Sequence, residues 1–179
     1  MLIGDKETFA VECYHDAFPD QGRSIFGRMC LWLGGKRVGD IDEPACMLNV
    51  TGKHLRALLP HIDELDDPAL QQLGDADAFA FLNRALYLDD SRSSEQIAAD
   101  FKRFFKFDLL TNGGESFDRT KSFILRDGDE VRILFEDEQH GGFVFARVER
   151  ERFALVVRGF LDWLAEEGEK AGGNPSEIR

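Results

Sequence analysis

Residues 25–40 read IFGRMCLWLGGKRVGD, and this stretch decides the fold. A run that is apolar except for Gly27 and Arg28 leads into Gly34-Gly35 and then into a short polar return. Because glycine reaches positive φ without a Cβ clash, two glycines between extended runs predict a β-hairpin with a two-residue turn. The first arm is apolar on both faces, which is typical of an interior strand covered on both sides. Arg28 is the exception, and it needs a charged partner or a route to water.

Further strands and turns surround this hairpin. Period-two alternation predicts strands over residues 8–14, 121–126, 130–136 and 143–148. The sequence Asp127-Gly128-Asp129 predicts a hairpin turn between the second and third of these strands.

Apolar residues at helical spacing predict about four helices. The first has Thr51 as its N-cap and kinks or ends at Pro60, and the second starts at Asp75. The fourth runs from about residue 149 to residue 167, where Gly159 suggests close packing.

The third helix has the most distinct start. Ser93 and Gln96 form a capping-box pattern at its beginning. An apolar stripe follows, and it consists of Ile97, Phe101, Phe104 and Phe105. Together the elements predict an α+β fold: a single domain with a mostly antiparallel sheet, the central hairpin at 25–40, packed against about four helices.

Composition sets the broad class of the protein. The 179 residues are 43% hydrophobic and 31% charged, which is typical of a folded soluble protein with one core. We expect one domain over residues 1–170 and a disordered tail over residues 171–179. No apolar run is as long as a membrane span, and residues 1–12 lack the features of a signal peptide. The sequence therefore predicts a cytoplasmic protein that does not contact a membrane.

The net charge of −12 is concentrated in the middle of the chain. Residues 61–100 contain ten acidic residues and two arginines, so this stretch carries −8 of the total. An acidic surface disfavours direct binding to nucleic acid or to an anionic membrane, because both need a basic surface. It favours a basic partner, or it serves solubility alone.

The sequence contains no recognisable catalytic or metal-binding constellation. No P-loop, HExxH, GxSxG or GxGxxG pattern occurs. His54 and His61 could share a helical face, but two surface histidines are the simpler interpretation. Three widely spaced cysteines indicate buried thiols: Cys13, Cys30 and Cys46. We therefore predict no catalytic residue, no metal and no cofactor.

The acidic middle is the predicted partner-binding site. Its members are Asp63, Glu64, Asp66, Asp67, Asp75, Asp77, Asp89 and Asp90. One interpretation is a solvated rim with N-cap carboxylates, Asp75 among them. The other is a docking face that steers a basic partner. Loops over residues 15–24, 111–116 and 136–142 are further candidate contacts, because binding residues often lie on loops.

A pattern of glycines, aromatic residues and aspartates runs through residues 1–40. Its members are Gly4, Asp5, Phe9, Phe26, Gly27, Trp32, Gly34, Gly35, Gly39 and Asp40. This pattern resembles the Immunity protein 42 family, which comprises bacterial antidotes of polymorphic toxin systems. The resemblance is looser through the helical middle and agrees in outline over the last strands and the terminal helix. The matched residues are ones that form turns and core.

The resemblance implies a cytoplasmic immunity protein that binds one cognate toxin and blocks it by occlusion, without chemistry of its own. If the toxin is a nuclease, its basic active-site groove would complement an acidic face. Two alternatives remain open at this point: a non-catalytic adaptor or regulatory module of another bacterial system, and a small enzyme that uses scattered acids or Cys46.

Overall fold

The computed structural model describes residues 1–16, 24–88, 91–137 and 142–171. Within these ranges the strands are β1 (Leu2–Asp5), β2 (Phe9–His15), β3 (Phe26–Leu33), β4 (Lys36–Val38), β5 (Cys46–Met47), β6 (Thr120–Asp127), β7 (Glu130–Asp137) and β8 (Gly142–Glu149). The helices are α1 (Leu48–Leu58), α2 (Pro68–Gln71), α3 (Asp75–Tyr87), α4 (Ser94–Phe104) and α5 (Arg150–Lys170). Short 3₁₀ segments lie at Leu59–Glu64, Phe105–Phe107 and Glu115–Phe117. The predicted α+β class is confirmed.

The first sheet is built around the predicted hairpin. Its strand order is β1-β2-β3-β4, and β5 pairs with the other end of β3, all antiparallel. Leu33 pairs with Lys36 across the turn, where Gly34 and Gly35 have φ of 56° and 78°. Two positive φ values in a two-residue loop are those of a type I′ turn. The hairpin and the interior position of β3 are therefore as predicted.

The outer face of this sheet is more open than predicted. Met29 and Leu31 are buried on the inner face of β3, whereas Arg28 on the other face is exposed and Trp32 is half-buried. Arg28 reaches solvent and forms an ion pair with Asp16 at 2.9 Å. The prediction that β3 is covered on both faces is wrong. On the outer face, polar side chains of β2 contact β3 where a covering layer was expected, and the Trp32 indole donates a hydrogen bond to Glu12 at 2.8 Å.

The remaining strands form a second antiparallel sheet, in the order β6-β7-β8. The predicted turn is present, because β6 ends at Asp127 and β7 begins at Glu130. The expectation that helices pack against one sheet is wrong, since α5 contacts strands of both sheets. Buried residues from the two sheets and the helices still belong to one hydrophobic cluster. Hairpin pairing is local in sequence, whereas the contacts of α5 with β1 and β2 join segments that are far apart in the chain.

Two predicted N-cap residues do not cap their helices. Thr51 is not an N-cap, because α1 already begins at Leu48, and its buried hydroxyl donates to the Gly113 carbonyl at 2.6 Å. Helix α3 does begin at Asp75, but Gly74 is its N-cap. The change at Pro60 is confirmed, since α1 ends at Leu58 and continues as a 3₁₀ segment. The capping box that begins α4 is also confirmed.

Helix α5 lies close to the first sheet and to α1. A Cβ at Gly159 would lie 2.9 Å from Ile3 Cγ2, and one at Gly52 would lie 2.5 Å from Leu164 Cδ2. The close packing predicted at Gly159 is therefore confirmed. In the described ranges, no helix combines the length and the apolar character needed to cross a membrane. The predicted tail lies outside the described residues apart from Ala171.

The three cysteines are buried and free, as expected. Burial raises the pKa of Cys13 and of Cys30 to about 12. Burial also raises the pKa of Cys46, whose sulfur accepts a hydrogen bond from the Ser116 hydroxyl at 3.2 Å. A thiol is nucleophilic only as the thiolate, so these environments disfavour reactivity.

Candidate functional site

Asp67 has a structural role within the acidic middle. It is buried, it is the N-cap of α2, and it accepts a hydrogen bond from the Ala69 backbone at 2.9 Å. The Arg103 guanidinium donates to both of its carboxylate oxygens at 2.8 Å. Burial opposes the charged form, but the contacts with Arg103 and Ala69 hold the pKa of Asp67 below its usual value. This carboxylate ties α2 to α4.

Asp75 is also engaged inside the molecule. It pairs with Arg132 of β7 at 2.7 Å, and Arg132 is 4% exposed. The same guanidinium donates to the Leu73 carbonyl at 3.0 Å. A buried cation requires such a partner. Asp75, at the start of α3, therefore supplies the negative charge that neutralises Arg132 in the second sheet.

The other predicted acids point in different directions. Asp63 forms an ion pair with Arg150 at the start of α5, and the Glu64 carboxylate lies 3.2 Å from His61. Asp66 and Asp77 are exposed, and neither carboxylate has an ion-pair partner among the described residues. Asp89 and Asp90 lie outside the described ranges. The acids that the sequence groups together therefore divide into structural and exposed members.

The loop over residues 111–116 faces largely inward. Thr111 and Ser116 are buried, and the Thr111 hydroxyl accepts a hydrogen bond from the Ser122 backbone at 2.9 Å. This loop supports the core more than it offers a contact surface. The other two loops fall mostly outside the described residues, at positions 17–23 and 138–141.

The apolar stripe of α4 is mainly exposed. Phe104 is 3% exposed and packs edge-on against Phe81. Ile97, Phe101 and Phe105 are 37%, 49% and 48% exposed. Helical periodicity revealed the stripe in the sequence, but it could not reveal that Phe104 is the buried member of the four. We call Ile97 and Phe101 of α4, together with Phe105 at the start of the following 3₁₀ segment, the α4 stripe.

An apolar groove of about 660 Å³ adjoins the α4 stripe. It runs between α1 with its 3₁₀ extension and the segment that follows α4. It is lined by Val50, Lys53, His54, Ala57, Leu58, His61, Glu64, Leu65, Phe105, Lys106, Asp108 and Leu109. Phe105 belongs to both the groove and the stripe, so the two form one continuous apolar surface.

Cations border this groove although the protein is acidic. Lys53 on α1 and Lys106 after α4 line it. The Lys106 ammonium donates to the backbone carbonyls of Glu64 and Asp66, at 2.5 Å and 3.2 Å, which leaves its charge unneutralised by those contacts.

Asp108 is the carboxylate on the inner side of the groove. Burial raises its pKa, while a hydrogen bond from the Tyr87 hydroxyl favours the charged form. The residues that line the groove include no serine, threonine or cysteine. The described residues also contain no group of three or more His, Cys, Asp or Glu side chains that could hold a metal ion. The groove lining thus combines apolar side chains with lysines, histidines and two carboxylates.

A family model matches residues 1–163, and the family is Immunity protein 42. The chain belongs to the Immunity protein 42 family. Among solved structures, the crystal structure of CdiI from Burkholderia dolosa AUO158 is similar in fold, with a TM-score of 0.65 and 21% sequence identity. The similarity covers 90% of this chain and 99% of that chain. No curated protein matches the sequence.

In this Immunity protein 42 member, Gly27 and Gly39 of the N-terminal pattern lie where a side chain does not fit. A Cβ at Gly27 would lie 2.0 Å from the Tyr14 carbonyl, and one at Gly39 would lie 2.5 Å from the Phe117 ring. Phe9 is buried and stacks on Phe153 with ring centroids 4.9 Å apart. These contacts place Gly27, Gly39 and Phe9 in the packed parts of the fold.

Proposed function

We propose that this protein neutralises one cognate toxin in the cytoplasm, by binding it and occluding its active site. The family match over residues 1–163 carries this proposal, since it identifies an immunity protein. The buried cysteine thiols support inhibition without catalysis, because burial disfavours the nucleophilic thiolate. The resulting complex would hold one toxin per antidote molecule.

The exposed carboxylates support a second part of the proposal. Asp66 and Asp77 are available to attract a basic toxin surface, whereas Asp67 and Asp75 are engaged inside the fold. Exposed charges raise the association rate more than they raise the affinity. We therefore assign the exposed acids to steering of the toxin.

Co-expression tests the proposal directly. The probe is the C-terminal domain of the toxin encoded next to this chain. We expect the wild-type chain to restore growth of cells that express this domain and to co-purify with it. Gly27→Val is the matched negative control, because a side chain there collides with the Tyr14 backbone. Absence of both rescue and complex for a folded wild-type chain would refute the proposal.

A titration distinguishes occlusion from catalysis in the same system. If the antidote only occludes, toxin activity falls linearly with added antidote and reaches its minimum at one equivalent. An enzyme that modifies the toxin would inactivate a large excess at sub-stoichiometric amounts, and that result would contradict the non-catalytic part of the proposal.

A further inference from the structure

We propose that the α4 stripe and the apolar groove together anchor the toxin, and that the bound element is an apolar toxin segment flanked by carboxylates. This inference rests on the proposed function and adds the binding surface and the chemistry of the toxin segment. It assigns the tightest contacts to a surface that lies beside the acidic middle.

The aromatic rings of the α4 stripe indicate a partner. Phe101 and Phe105 stack on each other, with centroids 4.5 Å apart and an interplanar angle of 22°, while about half of each side chain stays exposed. Phe104, by contrast, is buried and attaches α4 to α3 by packing against Phe81. Contiguous exposed apolar surface commonly marks an interaction site in a soluble protein, and aromatic residues are enriched among binding hot spots.

The groove extends this apolar surface into a concave site. Phe105 forms its edge, and Val50, Ala57 and Leu109 contribute further apolar lining. Apolar side chains of a partner gain most when they fill such a site, because water is then excluded from both surfaces.

Charge complementarity defines the flanks of the toxin segment. Lys53 and Lys106 line the groove, and Lys102 follows Phe101 on the exposed side of α4. These cations stand out in a chain of net charge −12. The groove lining also holds two carboxylates: that of Glu64 lies beside His61, and that of Asp108 accepts a hydrogen bond from the Tyr87 hydroxyl on the inner side. Carboxylates that flank the apolar part of the toxin segment would meet Lys53, Lys102 and Lys106.

The surface is held in place before the toxin arrives. Arg103 is fixed by its two hydrogen bonds to Asp67, and Lys106 is fixed by two backbone carbonyls. These contacts secure the C-terminal end of α4 and the segment after it. A rigid surface loses less conformational entropy on binding, which strengthens the complex.

The test compares Phe101→Ala/Phe105→Ala with a matched aromatic control, Phe143→Ala. Phe143 on β8 is 53% exposed and also touches other rings. The probe is the C-terminal domain of the toxin encoded by the adjacent gene. Surface plasmon resonance gives its association and dissociation rates with each variant. Loss of a hot-spot pair should weaken binding at least about 30-fold, mainly through faster dissociation. Phe143→Ala should stay within about twofold of wild type. Circular dichroism and urea unfolding verify that each variant is folded.

Two charge variants separate the flanks from the steering acids. Lys53→Glu/Lys102→Glu should weaken binding about tenfold, because it reverses the charge beside the stripe. Asp66→Asn/Asp77→Asn should lower the association rate and its salt dependence while the dissociation rate stays nearly constant. The assignment would be overturned if Asp66→Asn/Asp77→Asn dissociated faster than wild type while the dissociation rate of Lys53→Glu/Lys102→Glu stayed unchanged.

The outcomes distinguish this inference from the proposed function. Wild-type binding that survives Phe101→Ala/Phe105→Ala overturns the inference alone. A wild-type chain that does not bind the toxin refutes both. Light scattering of the free protein gives one further outcome: a wild-type dimer that the aromatic variant converts to a monomer would assign the surface to self-association and overturn the inference.

Discussion

Individual acidic residues in this protein have different tasks that their charge alone does not reveal. Asp67 is an N-cap and holds Arg103, and Asp75 neutralises the buried Arg132. Asp66 and Asp77 are exposed and have no ion-pair partner among the described residues. Carboxylates of the first kind contribute to stability, and those of the second kind are available to a partner.

Comparison of Asp75→Asn with Asp66→Asn tests this distinction. Asp75→Asn leaves the Arg132 charge without its anion in a buried site, so we expect a loss of about 2 kcal/mol in the free energy of unfolding. Asp66→Asn changes an exposed side chain and should stay within about 0.5 kcal/mol of wild type. Urea denaturation at pH 7 measures both values. Equal losses would contradict the structural role of Asp75.

At the scale of elements, the β3–β4 hairpin contains glycines with two physical roles. Gly34 supplies the turn with a φ of 56°, and a Cβ at this position would have no neighbouring atom within 4 Å. Gly27 instead allows β3 to approach β2, since its Cβ would lie 2.0 Å from the Tyr14 carbonyl. The first role requires a backbone conformation with positive φ, and the second requires that no side chain be present.

The two roles predict different tolerance to substitution. Gly34→Asn should cost no more than about 1 kcal/mol, because asparagine tolerates positive φ in a type I′ turn. Gly27→Ala should cost at least about 3 kcal/mol, because the new methyl group meets backbone that cannot move aside. Thermal and urea unfolding of the two variants provide the comparison. A Gly27→Ala protein as stable as wild type would show that β2 and β3 are less tightly paired than the structure indicates.

At the scale of the whole molecule, stability depends on how the net charge of −12 is distributed. Self-repulsion at neutral pH opposes the compact state. Glu12 acts in the opposite sense, because it accepts hydrogen bonds from Lys6, Tyr14 and Trp32 across the outer face of the first sheet. The contact with Lys6 is the main reason that the pKa of Glu12 falls to about 2.

The lowered pKa of Glu12 predicts a specific pH dependence. Its folded pKa of about 2 lies below the ordinary value of 4.5, so its stabilisation is complete above pH 4.5 and is lost as the pH falls towards 2. We expect Glu12→Gln to lower the free energy of unfolding by about 1–2 kcal/mol at pH 7, because solvent screens part of the network. The difference from wild type should shrink between pH 4.5 and pH 2. Urea unfolding across this range measures it, and a difference independent of pH would contradict the role of the charge.

Local features of the fold could be predicted from the sequence because they depend on residues close together in the chain. The Gly34-Gly35 turn, the Ser93–Gln96 capping box and the long α5 all follow from backbone φ preferences, side-chain caps or helical periodicity. The N-terminal pattern also indicated the family that the match over residues 1–163 identifies.

The division into two sheets, the roles of the acids and the exposure of the α4 stripe were decided only by the tertiary structure. Asp67 meets Arg103 across 36 residues, and Asp75 meets Arg132 across 57. Periodicity showed that α4 has an apolar side, but not that Phe101 and Phe105 would lack a covering element. The physical reason is that burial and ion pairing depend on which distant segments pack together, as α5 does with strands of both sheets.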